Sequence, residues 1–178
     1  MTIYKMCLVA MLVAMGVGLH AIDSLINLSF IIPGFRIGLA NVVSLFACFY
    51  LGVWYYPAIS LVRCVLVGLI FTGFGTNFLL SLSGAIFSSF ITVLLYYLTR
   101  ASIYGISASG AFFHVLGQII TYIFIVDTPY MFLYLPLLSL FSIGSGLLLA
   151  ICVSMIIKTL PPLSSIQKIR RGGRRKKE

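Results

Sequence analysis

Charged side chains are nearly absent from most of this sequence. Of its 178 residues, 8% are Asp, Glu, Lys or Arg, and 61% are hydrophobic. In a soluble domain roughly a quarter of the residues are charged, because water must solvate the whole surface. Between Lys5 and Lys158 only five charged residues occur, and these are Asp23, Arg36, Arg63, Arg100 and Asp127. The composition therefore predicts an all-α membrane protein that is surrounded mostly by lipid.

The shortage of acidic residues argues against several kinds of chemistry. The only acids are Asp23, Asp127 and Glu178, too few for the carboxylate clusters that hold Mg²⁺ against a diphosphate. The sequence lacks GxxxxGKS and GxxxxGKT, so it has no phosphate-binding loop for ATP. Its two histidines form no credible Ser/His/acid set. We expect no catalytic residue, no cofactor and no enzyme activity.

Cysteines are few and occur in no pair or cluster. Cys7, Cys48, Cys64 and Cys152 stand singly in apolar runs, whereas a metal or redox site needs converging soft ligands. We expect no metal site, and we expect these cysteines to pack as small buried residues between helices.

The apolar runs leave room for six membrane-spanning helices, since one span needs about 20 residues. We predict one bundle over residues 1–160, in which the first run is a retained helix and not a cleaved signal peptide. The aromatic residues 54–56 should end the second span. Pro136 should end a lead-in to the last helix. The predicted spans are 4–21, 37–55, 58–74, 78–98, 107–126 and 131–157.

Basic residues predict the orientation of the bundle. With an even number of spans, Lys5, Arg100 and Lys158 fall on one side, which the excess of Lys and Arg marks as cytoplasmic. Both termini are then cytoplasmic. Seven of the twelve basic residues lie in the tail at 161–178. We expect this tail to mark topology and to contact anionic membrane lipids, and we do not expect it to bind nucleic acid.

Small residues recur at every fourth position of the first span, where Ala10, Ala14 and Gly18 share one helix face. Such a face lets another backbone approach closely. Two interpretations stay open from the pattern alone, packing within the protein's own bundle and contact with another protein.

Several polar residues within or beside the spans are candidates for binding a small molecule. Arg36 lies at the start of the second span and Asn41 deeper in it, while Arg63 lies within the third. For each arginine, extension of the side chain to the headgroups competes with a ligand role. Asn41 needs a partner, which a ligand or a neighbouring helix would supply equally well.

Two further candidates share a face of the fifth span. His114 and Gln118 are spaced i, i+4 in the segment FHVLGQ, which indicates either a polar cavity or hydrogen bonds between helices. Asn77 lies in the turn GFGTN before the fourth span. Its simplest role is to cap that helix, and a ligand role is the alternative.

The segment PGFRIGLANVV at residues 33–43 resembles a stretch typical of the Gx transporter family, also described as heptaprenyl diphosphate synthase component I. Further similarities follow in the same order along the chain. They are Arg63 with Gly68, FLLSLSGAIFS at 78–88, and His114 with Gly117 and Gln118. This family is similar to the substrate-binding S components of energy-coupling factor (ECF) transporters.

The resemblance implies a six-helix subunit in a bacterial cell membrane that captures a small molecule, vitamin-like or related to isoprenoids or quinones, from the outer side. Its partners would be a transmembrane coupling subunit and two cytoplasmic ATPases. Ala10 and Ala14 would match the AxxxA motif that contacts the coupling subunit. The implied pocket lies in the outer half, under the connection from Asp23 to Arg36, and fits the deeper Arg63 less well. A different possibility is a membrane anchor or accessory subunit in isoprenoid or quinone metabolism.

Overall fold

Helices make up nearly all of the structure, a computed structural model that describes residues 3–25, 38–99 and 101–160. These ranges contain no strand, which confirms the all-α prediction. Arg36, Arg100 and the predicted basic tail at 161–178 lie outside the described residues. The helices are α1 Ile3–Leu25, α2 Asn41–Tyr50, α3 Tyr55–Val67, α4 Thr76–Leu98, α5 Ile103–Val126 and α6 Leu135–Thr159.

Within the described ranges, four helical segments are long and apolar enough to cross a membrane, at residues 3–23, 76–98, 103–126 and 129–159. The last one begins with a 3₁₀-helical segment, Pro129–Tyr134, before α6. Pro136 lies in the first turn of α6, where a missing N–H costs no hydrogen bond. The predicted lead-in segment is thereby confirmed. Six full spans and the orientation remain predictions.

The second predicted span differs most from the structure. α2 has ten residues and is about 15 Å long at 1.5 Å per residue, half of a hydrocarbon core of about 30 Å. Gly52 has a φ of +127°, which favours glycine, and the chain turns there. Tyr55 and Tyr56 therefore begin α3 instead of ending the second span.

The helices from α2 to α6 pack in chain order, and α6 returns to contact α2. α1 packs against α2 and α3. α3 continues into a π-helical turn, Gly68–Thr72. Two of the buried clusters among the described residues each join three helices. One joins α1, α2 and α3, and the other joins α2, α5 and α6. Their members are Leu12, Val13, Val43, Ala47 and Ile59 in the first, and Leu45, Ile106, Ala150 and Val153 in the second.

The outer surface is covered with large apolar side chains, such as Phe90, Phe124 and Leu148. In water such a surface would drive association, whereas lipid solvates it. Cys7 and Cys152, which we expected to be buried, are exposed on this surface, while Cys48 and Cys64 are buried. The long apolar helices and this surface identify a multi-pass membrane protein.

Truncation to alanine should lower the free energy of unfolding more at a core position than at a position that contacts lipid. Ile59 is 0% exposed and Leu148 is 65% exposed. We expect Ile59→Ala to lower the free energy of unfolding by about 2–5 kcal/mol, because it leaves a cavity in the core of α1, α2 and α3. Leu148→Ala should cost far less. Reversible unfolding in mixed micelles measures both, and equal losses would contradict this assignment of core and lipid-facing positions.

Candidate functional site

Arg63 is buried in the interior of the bundle. Its side chain is 3% exposed, so it does not extend into solvent as a residue reaching for headgroups would. The stem lies against α1 at Gly16, where a Cβ would come within 3.2 Å of the Arg63 Cδ. The absence of a side chain at Gly16 therefore makes room for the arginine between α1 and α3.

Asn41 meets Arg63 across the interface of α2 and α3. Nη2 of Arg63 donates a hydrogen bond to Oδ1 of Asn41, with 3.0 Å between the two atoms. The hydroxyls of Ser60 and Ser44 meet at 2.9 Å. Ser44 lies one turn after Asn41 on α2, whereas Ser60 lies one turn before Arg63 on α3. The two contacts show that α2 and α3 run antiparallel. For this reason Arg63 lies level with the first residue of α2, and not deeper than Asn41 as we had expected.

The guanidinium of Arg63 has donors that Asn41 does not use. Nε and Nη1 are enclosed by protein, and neither has a hydrogen-bond partner within the described ranges. A buried donor without a partner is costly to keep, and the cost is greater for a charged group.

Asp23 and His20 place further polar groups near the end of α1, and both are buried. Oδ2 of Asp23 accepts a hydrogen bond of 3.0 Å from the backbone N–H of Gly38. This contact joins the last turn of α1 to the residues before α2. Asp23 is thus part of α1, whereas the predicted first span ended at Ala21. We call His20, Asp23, Asn41 and Arg63 the polar cluster.

His114 lies at the interface of α4 and α5. A Cβ at Gly84 would come within 2.8 Å of the His114 ring, so the ring packs on the backbone of α4. One turn along, the Ser83 hydroxyl donates to the carbonyl of Gly117 at 3.2 Å. Gln118 is half-buried on α5. The approach of the His114 ring to Gly84 and the bond at Gly117 are contacts between α4 and α5.

Serine hydroxyls join α5 to α6 in a reciprocal way that sequence reasoning missed. Ser107 of α5 donates to the Gly146 carbonyl at 2.7 Å, and Ser142 of α6 donates to the Ala111 carbonyl at 3.1 Å. Ser107 lies four residues before Ala111, and Ser142 lies four residues before Gly146. Each helix therefore carries one donor and one acceptor at the same spacing. That spacing is the signal by which they could have been found.

Asn77 is exposed in the first turn of α4. The residue before the helix is Gly75, and no side chain caps its amino end. The prediction that Asn77 caps this helix is therefore wrong, because α4 begins at Thr76 and includes Asn77. Its ligand role stays a prediction.

The small residues of α1 lie on its outward face. Ala10, Ala14 and Gly18 are all exposed, and a Cβ at Gly18 would meet no atom within 4 Å. The opposite face of the same helix carries Gly16 and the buried residues of the polar cluster. We call Ala10, Ala14 and Gly18 the small-residue face.

A sequence model of the family described as heptaprenyl diphosphate synthase component I matches residues 12–156. The matched range includes the whole polar cluster, His114 and Gln118. No curated protein and no solved structure matches the chain.

The Asn41–Arg63 contact predicts coupled effects on stability. Asn41→Leu should lower the free energy of unfolding by about 1–3 kcal/mol, because it leaves Nη2 of Arg63 buried without an acceptor. Adding Arg63→Met should recover much of that loss, since the donor is then gone. A double-mutant cycle in mixed micelles measures the coupling. Strictly additive losses would show that the two side chains do not interact.

The contact of Gly84 with His114 makes a second prediction. Gly84→Ala should lower the thermal midpoint, because its methyl group would collide with the His114 ring, and His114→Ala in the same chain should restore it. Gly144→Ala on α6 is the matched control, since a Cβ there meets nothing within 4 Å. If both glycine variants melt alike, α4 and α5 do not approach as closely as described.

Proposed function

The chain belongs to the heptaprenyl diphosphate synthase component I family, and from this premise we propose that it is the substrate-binding membrane subunit of an ECF-type importer. In this proposal it captures a small molecule, vitamin-like or related to isoprenoids or quinones. A transmembrane coupling subunit and two cytoplasmic ATPases then drive uptake. The family description, as a component, itself implies a partner in a complex.

The observation that carries the proposal is the two-sided character of α1. Its outward side is the small-residue face, which is suited to close contact with another helix. Its inward side contributes Gly16, which packs against Arg63, and Asp23, which bonds to Gly38. A subunit that binds a ligand and docks on a partner needs an inward polar surface and an outward docking surface. α1 carries the two on opposite faces.

The proposed location is the bacterial cell membrane, with six spans and both termini in the cytoplasm. In this orientation α1 ends on the outer side. The polar cluster, formed by the end of α1, the start of α2 and the second half of α3, then lies in the outer half of the bundle. Arg36, Asn77, His114 and Gln118 are the further residues that we propose for the ligand. The basic tail would contact anionic lipids.

We propose that any prenyl-diphosphate chemistry belongs to another protein. Chain elongation uses clustered carboxylates to hold Mg²⁺ on a diphosphate, and this sequence has three acids in all. Asp23 is engaged with the Gly38 backbone. The chain would therefore supply binding or anchoring and no catalytic group.

A second candidate is an anchor or accessory subunit in isoprenoid or quinone metabolism, without transport. The family description favours it. So do the hydroxyl–carbonyl bonds among α4, α5 and α6, since polar residues that only join helices are what such a subunit needs. A thermal-shift screen with vitamins, flavins, isoprenoid phosphates and quinone precursors separates the two. Stabilisation by one of them favours the importer subunit, and a lack of response favours the anchor.

Docking through α1 is tested by copurification. We expect Ala10→Trp with Ala14→Trp to abolish recovery of a coexpressed coupling subunit and its ATPases, because two indoles prevent close approach of the partner helix. The control is Leu140→Trp with Leu148→Trp, at exposed positions on α6, which should copurify like the unmodified chain. An intact complex with the α1 variant would refute the proposed docking face.

A further inference from the structure

Arg63 is a buried cation, and among the described residues its one hydrogen-bond partner is neutral. Asn41 accepts from Nη2, while Nε and Nη1 have no partner in the part of the chain that the structure describes. A guanidinium remains protonated under all ordinary conditions. It cannot lower the cost of burial by losing its charge, as a lysine can. Asp23 belongs to the same polar cluster, but its Oδ2 accepts from Gly38, and Nε and Nη1 of Arg63 donate to neither of its oxygens. Balancing the site therefore calls for an anion that bonds to these donors directly.

The stereochemistry of the guanidinium shows what can reach it. One of its edges presents the parallel N–H groups of Nε and Nη2, and the other presents those of Nη1 and Nη2. Asn41 takes one of the two hydrogens on Nη2. The second hydrogen belongs to the opposite edge, so one complete two-donor edge remains whichever hydrogen Asn41 takes. Two parallel donors match the two oxygens of a carboxylate or a phosphate.

The surroundings of the guanidinium also favour an anion. Asn41 is the first residue of α2, so the positive end of that helix dipole lies beside the guanidinium. Gly16 lies against the stem of Arg63, and Val43 adjoins Gly16, so the groups beside the stem are apolar. A charged hydrogen bond is stronger there than in water, because little solvent competes for the donors.

We propose that Arg63 is the anion-binding residue of the protein, and that the molecule it binds carries a carboxylate or phosphate group on an otherwise largely apolar body. This inference rests on the proposed capture of a small molecule and specifies its chemical class. Asn41 acts as a positioning residue, because it fixes one side of the guanidinium, while Nε and Nη1 keep no acceptor among the described residues.

The oxyanion has two possible sources, a soluble amphipathic molecule or the headgroup of a membrane lipid. Octanoate and octyl phosphate, with octanol as the uncharged counterpart, represent the first. Phosphatidylglycerol, compared with phosphatidylcholine, represents the second. The thermal midpoint of the full chain in non-ionic detergent is measured with each, at constant ionic strength.

Octanoate or octyl phosphate at saturating concentration should raise the midpoint of the unmodified chain by about 5 °C, whereas octanol should not. Arg63→Met should abolish this rise, and Arg63→Lys should keep part of it, since lysine retains the charge and loses the two-donor edge. Lys158→Met removes one positive charge at the end of α6 and should respond like the unmodified chain. Without an oxyanion, Arg63→Met should melt no lower than the unmodified chain.

A rise with phosphatidylglycerol alone would assign the site to a lipid headgroup and retain Arg63 as its anion-binding residue. An equal rise in Arg63→Met, or no rise with any oxyanion in the folded unmodified chain, would overturn the proposal. The proposed docking on an importer module fails separately, since it is judged by copurification with the coupling subunit and ATPases. Arg63→Met should leave that complex intact, because Arg63 lies on the inward side of α1.

Discussion

Lipid offers no hydrogen bonds, and this constraint shapes the placement of the polar groups in the bundle. The backbone satisfies it by being helical over most of the described ranges. Ser83, Ser107 and Ser142 satisfy it by donating to carbonyls of neighbouring helices. Arg63 departs from the rule, because its charge meets a neutral amide and two of its nitrogens meet no acceptor within the described residues. Such a departure is expensive in a membrane protein and is therefore the strongest indication of a binding role.

The sequence predicted the long helices well and the short ones poorly. α1, α4, α5 and α6 correspond to continuous apolar runs of sufficient length, which composition alone identifies. The turn between α2 and α3 falls within apolar and aromatic sequence, and its main signal is Gly52, one glycine among the 16 of the chain. Hydropathy therefore merged the end of α2 with the start of α3 and produced a second span that is too long.

The candidate site was predictable in its residues and not in its contacts. Asn41, Arg63 and His114 were identified because polar side chains are rare in apolar helices. Which of them meet depends on helix direction and register, and neither follows from spacing along one helix. The antiparallel packing of α2 and α3 brings Arg63 to Asn41, whereas His114 packs against Gly84. From the sequence, Asn41 was placed near an outer pocket, Arg63 was expected to lie deeper, and His114 was left between a cavity and packing between helices.

Gly16 has a mechanical consequence for the helix that carries it. A Cβ there would come within 3.2 Å of the arginine stem, so the stem occupies the shallow notch that this glycine leaves in α1. Rotation of α1 about its long axis would turn the side chains beside the notch into that stem and displace it. At this depth the movements of α1 and α3 are therefore coupled. A contact that rotates α1 from its outward side would therefore move the guanidinium, and a group bound to the guanidinium would oppose rotation of α1.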